Sequence, residues 1–299
     1  MTKTSLTDNG IYPQFCYAAS TNDEIFANFK RYAVYTAVLE HVSPEQGAEY
    51  LKVMQQPSRI QFTAAAWRNF QRNDTVGNAA VQSYRLNDNE LQISPSTLRY
   101  AKVLSDIVNW FPIANIKTVA EIGIGYGGQC RLLMSHLPIR QYWLFDLPEV
   151  LGLAERFLEQ LNQLDGVRFV NGKHIYTDCD FDLLISNYAF SELTRAVQDM
   201  YLEKIVLRAR AGYITWNCLS RDGLDGYSVE ELLKIIPNSS VRAEEPLTHP
   251  NNCIIVWTQG GVERSFRSFT RNAPARSIFF VNCRYLSINR APLSASDSS

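Results

Sequence analysis

A chain of 299 residues is long enough to bury a substantial core, as one large domain or as an α/β domain of ordinary size with an extension, and it needs no disulfide staples. Its 29 Lys+Arg against 30 Asp+Glu leave a formal charge of −1, which gives no global pull toward nucleic acid or an anionic membrane. Six cysteines without a CxxC pair and four histidines without HxxxH or HExxH spacing indicate neither a zinc site nor a disulfide framework, and a reduced, cytoplasmic compartment fits them best.

The N-terminus lacks an apolar stretch of signal-peptide length, and no run approaches the roughly 18 apolar residues of a spanning helix. Helical spacing of Ile25, Phe26, Phe29, Tyr32, Ala33 and Leu39 predicts a helix over residues 23–42. A second starts at "SPEQ", where Ser43 caps, Pro44 fills the first turn and Gln46 stands three residues on. A short helix containing Trp67 and Phe70 follows Pro57, then a polar, turn-prone connection over 73–94. "SPSTLRYAKVLSDIVNWFP" opens another helix with Leu98, Ala101, Leu104, Ile107 and Val108 as its apolar stripe.

From Lys117 short apolar strands alternate with helical stretches, the pattern of an α/β, mostly parallel, Rossmann-like sheet with crossover helices. Strands are expected at 118–123, 141–146, 167–170, 181–186, 213–218 and 253–257. Between them lie a helix from Pro148, another after the fourth strand, and "SVEELLKII" with a capping box of Ser228 and Glu231. The division expected is an N-terminal helical region (1–115), a cofactor-binding domain (116–258) and a flexible tail (259–299), the last with six arginines and one strand at 277–281.

"TVAEIGIGYGGQCRLL" reads as strand, glycine-rich turn and helix, the order that lets backbone approach a ligand at the carboxyl end of a strand. Gly123, Gly125 and Gly128 satisfy GxGxxG, a weak signal that dinucleotide enzymes and methyltransferases share. Glu121 discriminates between them. A carboxylate two positions before Gly123 would repel a diphosphate by about 1 to 4 kcal/mol, and no Arg or Lys between Lys117 and Arg131 offsets it. The sulfonium and ammonium of S-adenosylmethionine would be attracted instead. Asp146 ends the next strand at the spacing where an acid accepts hydrogen bonds from ribose hydroxyls. The blander alternatives are a helix cap for Asp146 and a buried acid bonded to backbone N–H groups for Glu121.

At this point the chain resembles the sugar O-methyltransferases of the class I S-adenosylmethionine-dependent group. The resemblance lies in "TLRY" (97–100), "EIGIGYGGQC", "FDLPEVLGLAERFL", "DLLISNYAFSEL", "GYITWN" and "NNCIIVW", in that order across residues 76–257. It departs at Ala79 in "VGNA", where proline is expected, and in the tail after Trp257. It implies a seven-stranded sheet with one antiparallel strand, S-adenosylmethionine as cofactor, and a carbohydrate hydroxyl as acceptor. The cofactor is then expected along Glu121, Gly123, Gly125, Tyr126, Gly127, Gly128, Asp146 and Leu147, with Asn187 and Arg99 beside it.

Methyl transfer is an in-line displacement, so an acceptor oxygen has to be aligned and water excluded. A sugar hydroxyl is a weak acid, and a general base should contribute about 10²- to 10⁴-fold. Glu192 is the first candidate and His249 the second, although Glu192 also suits the first turn of a helix capped by Ser191. Tyr188, Phe190 and Trp216 are candidates to stack on sugar C–H faces, although aromatic residues in strands are more often core, with Ser191 and Tyr100 as further substrate contacts. His174 and Asp178 follow the third strand, where an adenine edge could reach them. No compact ligand cluster suggests a metal. The expected partner is a small-molecule or polysaccharide-precursor sugar, with no nucleic acid and no membrane span. Two other readings compete: an NAD(P)-dependent oxidoreductase, which would want a TyrxxxLys pair that is absent, and a methyltransferase-like binding module without turnover.

Overall fold

The computed structural model describes residues 10–218 and 225–259, and the tail strand expected at 277–281 lies outside them. The chain opens with α1 (Ile11–Thr21), α2 (Asp23–Asn28), a 3₁₀ turn at Phe29–Arg31, and α3 (Ala33–Thr36). The single helix expected over 23–42 is therefore broken. Lys30 turns its backbone N–H to the Gly77 carbonyl (3.0 Å) and its ammonium to Asn73 O (2.7 Å), and Tyr32 is extended before the helix restarts. Phe29 and Lys30 are buried by this turn, which a continuous helix would not allow.

α4 (Pro44–Met54) begins with the expected capping box of Ser43 and Gln46, and α5 (Ala64–Gln71) is capped by Thr63. The connection expected over 73–94 contains a hairpin of β1 (Gln82–Leu86) and β2 (Asn89–Ile93), turning at Asn87 with φ 54°. Only Tyr84, Leu91 and Ile93 of it are buried, too few apolar positions to announce strands. Next is α6 (Pro95–Trp110), whose N-terminus is tied down by Asp74. That carboxylate accepts from Ser94 N, Ser94 Oγ and Thr97 Oγ1, each at 2.7 Å. Asp74→Ala leaves three donors without their acceptor and is expected to cost about 2 to 3 kcal/mol in urea unfolding, with Asp74→Asn losing less.

The alternating half then runs β3 (Thr118–Ile122), α7 (Gly128–His136), β4 (Gln141–Asp146), α8 (Pro148–Gln160), β5 (Val167–Asn171), β6 (Leu183–Asn187), α9 (Arg195–Lys204), β7 (Ala211–Trp216), α10 (Val229–Ile235), β8 (Ser240–Ala243) and β9 (Cys253–Thr258). These form a seven-stranded sheet of order β5-β4-β3-β6-β7-β9-β8, with β9 antiparallel to both its neighbours and the other pairs parallel. This is a Rossmann-like, mostly parallel sheet of seven strands with one antiparallel strand, as the resemblance implies. The six expected strands are present, the one at 141–146 with the expected ends and the others with ends shifted by at most two residues. β8 was not legible because its Ser240, Val241 and Ala243 are exposed at the sheet edge.

One apolar core joins the N-terminal helices to a face of the sheet. Phe29 and Tyr35 pack on Tyr126, and Arg156 of α8 bonds the carbonyls of Ala19 and Ser20 and pairs with Asp23. These contacts cross residue 115, within one compact unit. Among the described residues no helix is long and apolar enough to cross a membrane. Strand order reverses between β3 and β6, and their carboxyl ends open a crevice there.

Candidate cofactor and acceptor site

A cavity of about 760 Å³ occupies that crevice, within the 300 to 1,000 Å³ typical of ligand sites. Its floor is the bend after β3. Gly123 and Gly125 have φ of 75° and 55°, and a side chain at Gly123 would collide with Ala189, while one at Gly125 would meet Leu39 at 2.9 Å. Both conditions demand glycine and leave bare backbone facing the cavity.

Two acids flank the bend. Glu121 is only 2% exposed, lines the cavity, and accepts a hydrogen bond from Tyr142 Oη at 2.8 Å. Burial pushes its pKa up to about 8, against the Tyr142 bond, with the Asp146 charge adding to the rise. The alternative of an acid held by backbone N–H groups does not apply, because its partner is a phenol. Asp146 does tie down backbone, accepting from Ile124 N (2.8 Å) and Leu147 N (2.7 Å). Burial raises its pKa to about 6 despite those bonds. Asp146 keeps part of its surface on the cavity, and beyond the backbone N–H groups of Leu147, Ile124 and Gly125 its carboxylate has one lone pair left for a ligand.

Arg99 of α6 lines the same cavity. It is 8% exposed, donates from Nη2 to Leu39 O at 3.2 Å, and has Nε buried without a partner. Asn187, at the end of β6, is its counterpart in sign. Gln129 donates to Tyr100 O (3.3 Å), which turns its own carbonyl oxygen toward Asn187 Nδ2 (3.4 Å) and leaves Asn187 Oδ1 buried and unsatisfied. A buried orphan donor and a buried orphan acceptor in one cavity call for a ligand with complementary groups.

Beyond Asn187 the wall changes character. Tyr188 holds φ 68°, a strained conformation for a non-glycine residue, with its amide on Thr215 O (3.0 Å) and its hydroxyl on Glu244 (2.5 Å). Glu192 accepts from Asn217 Nδ2 at 3.0 Å, and burial raises its pKa against that bond. It belongs to a 3₁₀ turn at Ala189–Glu192, while Thr194 stands at the N-terminus of α9, so the simple helix-cap alternative fails. His249 sits exposed on the cavity wall with Nδ1 against Pro250 O (2.8 Å).

Of the residues expected at the site, the cavity brings together Arg99, Tyr100, Glu121, Gly123, Gly125, Asp146, Leu147, Asn187, Tyr188, Glu192 and His249. It does not include Tyr126, Gly127, Gly128, Phe190, Ser191 or Trp216. Tyr126 is fully buried, its ring 4.7 Å from Phe157 with the Lys30 ammonium 4.2 Å above it, and Gly128 lies behind the bend against Tyr100 and Tyr126. Gly127 is the left-handed cap just before α7, where a side chain would face Leu158. Phe190 and Trp216 pack on each other in the second apolar cluster and present no face to a sugar. Ser191 links the ends of β6 and β7, donating to Tyr188 O (2.5 Å) and accepting from Asn217 N (3.0 Å). His174 and Asp178 are also off the cavity; Asp178 pairs with Arg208 (3.5 Å), and Gly172 and Lys173 take their place.

Sequence reasoning missed His41, Tyr50, Tyr142, Glu244 and Thr248. His41 and Tyr50 come from the segment that roofs the cavity, and burial together with Arg99 lowers the His41 pKa. Only Tyr142 left a signal: it pairs with Val119, two positions from Glu121 along β3.

No family model and no curated protein matches the chain. Among solved structures it is similar to the pyocyanin biosynthetic protein PhzM (14% identity, TM-score 0.38, 52% of this chain and 53% of that one). It is also similar to an O-methyltransferase family protein from Burkholderia thailandensis (12%, 0.42, 55% and 57%). A third is CalS10, an amino pentose methyltransferase from Micromonospora echinaspora solved with S-adenosylmethionine (12%, 0.40, 54% and 90%). The matched span covers just over half the length of the first two.

Proposed function

We propose that this chain is an S-adenosylmethionine-dependent O-methyltransferase acting on a sugar hydroxyl. The observation that carries the reading is the arrangement of charge and orphan groups around the bend: Glu121 and Asp146 flank it, while Arg99 Nε and Asn187 Oδ1 stand unpartnered in the same cavity. An amino acid joined to a nucleoside matches each of them. Arg99 takes the carboxylate, Glu121 and Asn187 Oδ1 take the ammonium, and the remaining lone pair of Asp146 takes a ribose hydroxyl. Leu147 and Gly172 offer contact to the base. When bound, the cofactor supplies an electrophilic methyl group on a sulfonium.

The chain's own residues do the rest. The strained turn at Tyr188 places Glu192 on the acceptor side, where its carboxylate takes the proton of the hydroxyl being methylated, and Asn217 steers that carboxylate. His249, on the exposed wall, is the alternative proton acceptor. The roofing segment around His41 and Tyr50 excludes water. Polar groups of Gln46, Tyr50 and Tyr188 suit the cavity to a hydroxylated acceptor. A dinucleotide is disfavoured: Arg131, just past the bend, is bonded to Asn69 and Asn73 behind α7 and cannot serve a diphosphate.

Calorimetry tests the cofactor. S-adenosylmethionine and S-adenosylhomocysteine should bind in the micromolar range and NAD should not. Asp146→Ala, which removes the ribose contact, should weaken both ligands by about tenfold or more, at about 1.4 kcal/mol per decade. Equal affinity for NAD, or an unchanged Asp146→Ala, defeats the assignment.

A further inference from the structure

Tyr188 stands on the acceptor wall with its hydrogen-bonding direction dictated from behind. A phenol has one proton and two acceptor lone pairs. The proton of Tyr188 goes to Glu244 Oε1 at 2.5 Å, and burial, with Tyr50 and Glu244 nearby, raises the Tyr188 pKa so that the proton stays on. Glu244 is 5% exposed and acts as an acceptor throughout: Thr248 N reaches Oε2 at 3.0 Å and Thr248 Oγ1 reaches the two oxygens at 2.9 and 2.8 Å. Thr248 in turn accepts from Asn252 Nδ2 (3.1 Å), and Asn252 Oδ1 accepts from Cys218 N (2.9 Å). Thr248 Oγ1 also stands 3.5 Å from Tyr188 Oη, but its own proton is directed to Glu244, which leaves the Tyr188 hydroxyl donating to Glu244 at the end of this chain. The backbone of Tyr188 is fixed as well, by Thr215 O on its amide and by Ser191 Oγ on its carbonyl.

Toward the cavity, Tyr188 Oη therefore offers a lone pair and no proton. Resting on the sugar-methylating reading above, we propose that Tyr188, held by Glu244, is a specificity-determining residue that accepts a hydrogen bond from a second hydroxyl of a polyhydroxylated acceptor, beside the one methylated. A ring carrying O–H at that position is recognised. A deoxy or O-methyl analogue leaves a buried acceptor unpaired and is rejected. Glu244 touches no ligand in this scheme and acts as a positioning residue.

The test measures S-adenosylhomocysteine release with methyl glycopyranosides, their monodeoxy analogues and their mono-O-methyl ethers, alongside calorimetry with S-adenosylhomocysteine. For wild type, removing one hydroxyl other than the methylated one should lower kcat/KM by about 10²-fold or more. Tyr188→Phe should bring the parent and that deoxy analogue within a few-fold of each other while S-adenosylhomocysteine affinity holds. Glu244→Gln keeps the shape but can turn an N–H toward Tyr188 and free its proton to point into the cavity, so the O-methyl ether should gain on the parent. Discrimination that survives in Tyr188→Phe overturns the proposal. So does wild type that methylates parent and deoxy compounds alike, or that binds S-adenosylhomocysteine yet methylates no glycoside. Absent S-adenosylhomocysteine binding overturns the cofactor reading instead.

Discussion

Glu121→Gln is expected to make the ligand-free protein more stable and its cofactor weaker, two opposite effects from one atom change. Folding raises the pKa of Glu121 from 4.5 to about 8, chiefly by burial. A group raised in this way contributes stability that is complete below the unfolded pKa and lost as pH climbs through the folded one. At pH 7 the deficit is about 2.5 units, or about 3 kcal/mol at 1.36 kcal/mol per unit, relative to a neutral side chain that still accepts from Tyr142. Urea unfolding at pH 7 should show the glutamine variant ahead by that order, and the gap should close near pH 4, where both side chains are neutral.

Binding runs the other way. A ligand ammonium beside Glu121 favours its charged form, so the complex should release a proton near neutral pH, and affinity for S-adenosylhomocysteine should rise toward pH 8. Glutamine removes the charge. Affinity should fall by about tenfold or more, and the dependence of binding enthalpy on buffer ionisation should shrink. A variant with unchanged stability and unchanged affinity would sink both the pKa argument and the place given to the ammonium.

The cofactor half of the site was legible because its chemistry is local in sequence. Glu121, the two bare-backbone glycines and Asp146 lie on two neighbouring strand ends, and a strand–turn–helix pattern places them without knowledge of the rest. Direction was harder. Periodicity reports that a side chain is buried but not what it is buried against: of the two readings open for Phe190 and Trp216, sugar platform or core, the structure gives core, and Tyr126, expected to face the cofactor, turns inward. Glu244 was out of reach for another reason. Its position depends on β8, four residues with little apolar signal, and its partner Tyr188 lies 56 positions earlier. The break in the first long helix is of the same kind, since the contact that stops it, Lys30 with Gly77, is tertiary.

Glu192→Gln carries the largest kinetic effect. The carboxylate has to be ionised to accept a proton, and burial holds its pKa above the ordinary 4.5, so wild-type turnover should rise with pH along a limb displaced upward from a free glutamate. The amide in its place would retain the bond to Asn217 through its carbonyl oxygen, and the cavity would keep its shape. The expected result is a fall in kcat of about 10²- to 10⁴-fold, loss of the acid limb, and S-adenosylhomocysteine affinity unchanged by calorimetry. Asn217→Ala sharpens the test, because the hydrogen bond from Asn217 lowers the Glu192 pKa against burial. Removing it should move the limb to higher pH without abolishing turnover. Turnover at the wild-type level in Glu192→Gln would transfer the proton to another group, and His249 would be the next to substitute.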